Sequence, residues 1–81
     1  MMVTIKLFAI LRERANASEL RIELPPSATI AAARRALGER IPAIRDFLGR
    51  VAWAVNRAYV PVETELHDGD ELAVIPPVSG G

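Results

Sequence analysis

Cysteine is absent from the 81 residues. That excludes disulfide staples, thiolate zinc sites and a cysteine nucleophile. Histidine occurs once, at His67, so no histidine cluster is available to a metal. Asp68 and Asp70 flank Gly69, but this spacing describes many polar turns, and a calcium loop needs further oxygen ligands at set positions. Gly38, Gly49 and Gly69 stand singly, so there is no glycine-rich phosphate loop. Ser18, Ser27 and Ser79 have no base nearby in the pattern. The equipment of a self-sufficient enzyme is missing.

Charge of one sign is also missing. Ten basic and ten acidic residues cancel. A dedicated nucleic-acid binder carries a basic excess, so that class is set aside. No apolar run approaches the roughly 20 residues that span a bilayer. The opening MMVTIKLFAIL holds Lys6 and leads into Arg12, Glu13 and Arg14, unlike a secretory leader. The expected location is the cytoplasm, with no membrane partner. The charges are nevertheless segregated. Residues 34–57 are mostly basic, and no lysine or arginine follows Arg57. Glu63, Glu65, Asp68, Asp70 and Glu71 all lie beyond it. This acidic end is either solvated surface or a face for a basic partner.

What is present is a strong pattern in a chain that is 51% hydrophobic. At this size one domain forms and buries roughly 60% of the surface its unfolded chain exposes. Residues 3–10 alternate, with Val3, Ile5 and Leu7 on one side and Thr4, Lys6 and Phe8 on the other. That is a strand with one buried face. RERANAS reads as a polar connection, and ELRIEL alternates again, so the two runs make a hairpin ended by Pro25 and Pro26. Ser27 or Thr29 then caps a helix in which Ile30, Ala33, Leu37 and Ile41 share a face. Pro42 stops it. AIRDFL is read as a further helical turn before Gly49. Residues 51–55 form a third strand, with Asn56 in a turn, and AYVPV forms a short edge strand. HDGD is a turn, and residues 72–75 form the last strand. Two strands, a helix and then further strands predict an α+β fold, a mixed sheet with one main helix packed across it. With the first and last strands adjacent at its centre it is a β-grasp. The domain occupies residues 1–75, and residues 76–81 form an extended tail.

The tail concentrates the remaining signal. Pro76 and Pro77 favour an extended backbone that leads away from the sheet. Six residues reach about 20 Å. Val78 and Ser79 lead to Gly80 and Gly81, which carry no Cβ and pass through channels closed to other residues. Gly81 ends in a carboxylate, ionised at neutral pH. A carboxylate is a poor electrophile. Adenylated by a partner with ATP, it becomes a mixed anhydride that a sulfur nucleophile attacks, giving a terminal thiocarboxylate. The alternative is an ordinary flexible end.

DGDELAVIPPVSGG resembles the signature end of the molybdopterin synthase small-subunit family, a ubiquitin-like sulfur-carrier family. KLFAILRERA and AVN at residues 54–56 are similar to the same family, in order and at matching length. The resemblance implies a ubiquitin-like β-grasp. It implies that Gly81 bears the thiocarboxylate, that Gly80 precedes it in the channel, and that no cofactor is bound by the chain. It also implies two partners: a ubiquitin-activating-type adenylyltransferase that uses ATP, and a large catalytic subunit that receives the tail within a heterotetramer. The family often carries an aromatic residue where this chain has Ile75.

Phe8 and Ile75 alternate oppositely to the buried set, so both are candidates for an exposed apolar patch. Phe8 is equally consistent with core. Trp53 is assigned to the core or its margin, Asn56 to a turn, and Arg34 and Arg35 to solvated helix face. The partner-binding candidates are thus Phe8, Ile75, Pro76, Pro77, Val78 and Ser79. Three rivals stay open: a thiamine-type sulfur carrier, a protein modifier with Lys6 as its only side-chain acceptor, and a passive β-grasp binding module.

Overall fold

The computed structural model describes residues 1–77, and these form a five-stranded mixed sheet with helices against one face. In chain order the elements are β1 (Met2–Leu7), α1 (Ala9–Ala15), β2 (Glu19–Glu23), α2 (Ile30–Arg40), a 3₁₀ helix (Pro42–Phe47), β3 (Ala52–Val55), β4 (Ala58–Tyr59) and β5 (Glu71–Ile75). The strands lie in the order β2-β1-β5-β3-β4. β1 and β5 are the parallel pair at the centre, with Ile5 opposite Leu72 and Leu7 opposite Val74. Every other pairing is antiparallel. This is the expected ubiquitin-like β-grasp.

The core follows from the alternation. Val3, Ile5 and Leu7 of β1, Leu72 and Val74 of β5 and Trp53 of β3 are buried on one face. Ile30, Ala33 and Leu37 of α2 join the same cluster, as do Ile44 and Leu48. Trp53 is core, as expected. Thr29, rather than Ser27, caps α2: its Oγ1 accepts from the Ala32 amide at 3.4 Å. Gly38 lets the 3₁₀ helix close in, because a Cβ there would sit 3.3 Å from Arg45 Cγ. Arg45 Nε donates to the Gly38 carbonyl at 3.3 Å.

The structure corrects the first hairpin. β1 ends at Leu7, not at residue 10, and RERANAS is not a simple polar loop. A two-turn helix, α1, replaces it. Ala9 at φ 51 redirects the chain, and Leu11 turns inward to full burial. Asn16 at φ 56 closes the helix in the left-handed conformation usually left to glycine. Its amide donates to Glu13 O, and that of Ala17 to Arg12 O. Arg14 then lies 5.5 Å over the Phe47 ring, bracing α1 against the 3₁₀ helix. β2 still pairs with β1 in hairpin sense, from Met2 opposite Glu23 to Lys6 opposite Glu19.

Leu11→Ala is expected to destabilise the domain by about 2–5 kcal/mol, the usual cost of a large-to-small core change. Glu13→Ala, on the exposed side of the same helix, is expected to stay within about 0.5 kcal/mol. Urea unfolding checks both. Equal, small effects would contradict the packing assigned to α1.

Candidate functional site: the open face of the sheet

One face of the sheet lies under the helices, and the other is open. Period-two alternation assigns the open side to Lys6 of β1, Ala52 and Ala54 of β3, Tyr59 of β4, and Glu71, Ala73 and Ile75 of β5. Phe8, just past β1, is 44% exposed, and Tyr59 is 71% exposed. Ile75 is half-buried. A shallow groove of about 350 Å³ runs across this face, lined by Lys6, Phe8, Ala54, Arg57, Tyr59, Glu71, Ala73 and Ile75. Phe8 and Ile75 therefore meet on one surface, and Phe8 belongs to that surface and not to the core. The two alanines keep the floor flat. The exposed apolar area of Phe8 and Tyr59 is available for contact.

Tyr59 was not singled out by its sequence. The signal was available: an aromatic on a short edge strand, facing Ala54 across the pair, falls on the same side as Ile75.

The rim is charged. Lys6 Nζ lies 2.8 Å from Glu19 Oε1 and 4.0 Å from Glu71 Oε2. The hydrogen bond and charge of Glu19 hold the ammonium above its ordinary value of 10.5, with a smaller push from Glu71. A raised folded-state pKa adds stability below the unfolded value and loses it as pH rises through the folded one. The pair is therefore intact at neutral pH. Both side chains are partly exposed and open to solvent screening, so the pair's role is to neutralise the rim rather than to hold the fold.

The tail begins at the same end. Pro76, half-buried, and Pro77, exposed, line a second groove of about 360 Å³ with Ala9, Ile10, Phe47 and Arg50. The candidates Val78, Ser79, Gly80 and Gly81 lie outside the described residues.

Asp68 and Asp70 are engaged within the chain. Asp68 Oδ1 accepts from the Met2 amide at 2.7 Å. Asp70 accepts from the His67 amide at 2.8 Å and from Asn56 Nδ2 at 3.1 Å. Gly69, at φ 85, makes the turn possible. Asn56 does more than turn the chain: its Oδ1 accepts from the Glu71 amide at 3.1 Å, which bolts the β3–β4 turn to β5. Among the described residues no group of three His, Asp or Glu side chains could hold a metal. No described helix is long and apolar enough to cross a membrane.

Comparison with known proteins follows the same lines. The ThiS family model matches residues 5–81. The molybdopterin synthase sulfur carrier subunit of Chlamydomonas reinhardtii is 36% identical over 83 residues, covering all of both chains. That of Mycobacterium tuberculosis is 49% identical over 45 residues, which span 56% of this chain and 54% of that one. Among solved structures, SAMP1 of Haloferax volcanii superposes with a TM-score of 0.89 at 32% identity over the whole of both chains. Subunit 1 or 2 in the molybdopterin-converting factor complex of Helicobacter pylori superposes at 0.72 with 27% identity, again over both whole chains. With the family pattern running from β1 to the last residue, the chain belongs to the ThiS family, alongside the molybdopterin synthase sulfur carrier subunits.

Proposed function

We propose that this chain is the sulfur carrier of a molybdopterin synthase, not catalytic alone, working from the cytoplasm with a large catalytic subunit in a heterotetramer. One observation carries the reading. Parallel pairing of β1 and β5 brings Phe8 and Ile75 onto one open face, and Pro76 and Pro77 leave from the end of that face. A partner that grips the face is thereby placed beside the start of the tail.

The chemistry belongs to Gly81. Its carboxylate attacks the α-phosphorus of ATP in a ubiquitin-activating-type adenylyltransferase, and pyrophosphate leaves. A sulfide-level donor, HS⁻, attacks the acyl carbon, the bond to the AMP oxygen breaks and AMP departs with loss of the S–H proton, which leaves a thiocarboxylate. Gly80 gives the tip the slimness that a buried active site requires. In the large subunit the sulfur is donated to the pterin precursor. Val78 and Ser79 are the partner-binding residues between prolines and tip. The chain binds no cofactor; ATP is consumed by the activating enzyme, and the sulfur travels as the thiocarboxylate.

A second reading has a specific observation behind it. SAMP1, described elsewhere in the solved structures as a small archaeal modifier protein, shares this fold at 32% identity. As a modifier this chain would use the same activated Gly81. Its only lysine, Lys6, already lies between Glu19 and Glu71, on the face a partner would cover. A thiamine-type carrier would share the tip, and sulfur delivery to a thiazole precursor separates that rival.

Deleting Gly80 and Gly81 is expected to abolish molybdopterin formation in a reconstituted synthase and to leave the melting temperature nearly unchanged, since terminal glycines bury little. Wild-type turnover by the deletion variant would leave a passive binding module. Phe8→Asp and Ile75→Asp are each expected to weaken large-subunit binding at least about 10-fold, with a smaller effect on folding. Titration calorimetry showing wild-type affinity in both would remove the open face as the docking surface.

A further inference from the structure

The β3–β4 turn consists of two residues, Asn56 and Arg57, between the paired Val55 and Ala58. Both have positive φ, 48 and 75. This is the pattern of a type I′ hairpin turn, whose second position strongly favours glycine. Asparagine suits the first position. Arginine at the second carries a Cβ into a left-handed conformation that costs it free energy. Strain of this kind persists where surrounding structure fixes it, and it clusters at functional positions. The fixing is visible. The Asn56 amide donates to Glu71 O at 2.9 Å, and the Asn56 side chain bonds both Asp70 and Glu71.

What the strained residue presents is an exposed guanidinium at the edge of the open groove, beside Tyr59 and Glu71. Among the described residues no carboxylate comes within ion-pair distance of Arg57 and no hydrogen bond holds its side chain, whereas Lys6 across the same groove is neutralised by Glu19 and Glu71. The groove thus has one uncompensated cation at the margin of an apolar floor.

We propose that Arg57 is a specificity-determining residue of the docking face, held there at a cost to the turn, and that the large subunit places a carboxylate opposite it. This rests on the open face being the docking surface. Phe8, Tyr59 and Ile75 supply apolar contact that many partners could satisfy, and a single cation projecting from a fixed turn sets orientation and rejects a partner with a basic residue at that point.

The two roles have opposite signs in one variant. Arg57→Gly relieves the turn and removes the charge. Its melting temperature is expected to rise by about 4 °C. Its affinity for the large subunit is expected to fall roughly 5- to 10-fold at low salt, with a flatter salt dependence. Arg57→Lys keeps the charge and the strain, and is expected to stay within about 3-fold of wild type. Calorimetric titration at two ionic strengths, with thermal melts of the free chain, reads all four quantities. Wild-type affinity for Arg57→Gly at both salts overturns the proposal, as does a melting temperature below wild type. Phe8→Asp in the same series separates the two levels. Loss of binding there with wild-type binding by Arg57→Gly removes only the role of Arg57; wild-type binding by both removes the docking face itself.

Discussion

The parallel contact of β1 with β5 is the constraint on which the rest of this molecule depends. The two strands come from opposite ends of the chain, and their pairing puts Leu7 beside Val74. Val3, Ile5 and Leu7 of β1 and Leu72 and Val74 of β5 face the core. Everything immediately after it, Phe8 on one strand and Ile75 on the other, emerges at the same end of the sheet. The first continuation turns into α1 and the second into the prolines. A parallel pair needs a long crossover, and here the whole of the domain between residues 8 and 70 supplies it. Fold and delivery geometry are thus consequences of a single pairing.

The turns around this pair divide the labour between stability and recognition. Gly69 at φ 85 and the Asp70 side chain shape the loop into β5, and the amide of Thr4 donates to Asp70 O at 3.0 Å. Asn56 ties the β3–β4 turn to the same place. Buried apolar residues hold the fold, and each is worth more than any surface ion pair in the chain. The open face has the opposite economy. Phe8 and Tyr59 keep much of their apolar area exposed, and among the described residues Lys6 is paired whereas Arg57 is not. A surface of that kind is suited to the docking role proposed for it.

The sequence displayed the sheet and the main helix clearly, because Val3, Ile5 and Leu7, Leu72 and Val74, and Ile30, Ala33 and Leu37 each keep one period over their whole element. It displayed α1 poorly. Ile10 extends the apolar run of β1 past its real end, and the helix is closed by Asn16 in place of the glycine that usually marks such an end. Asn56 was legible as a turn residue, but its side-chain bonds to Asp70 and Glu71 join residues 14 and 15 positions apart. No local pattern reveals a bond of that separation. The open-face site was half legible. Phe8 and Ile75 declare themselves by alternation, whereas Tyr59 joins them only once β4 is paired with β3. The tail was read from the special backbone properties of proline and glycine, and its tip from what a free carboxylate becomes when activated.

The central claim is that the main-chain end of Gly81 carries the sulfur. Intact-mass analysis of the chain after incubation with ATP, the adenylyltransferase and a sulfur donor tests this most directly. One oxygen is expected to be replaced by one sulfur, located by fragmentation at Gly81 and absent without ATP. An unmodified Gly81 in the presence of a demonstrably active adenylyltransferase, or sulfur found anywhere else in the chain, contradicts it.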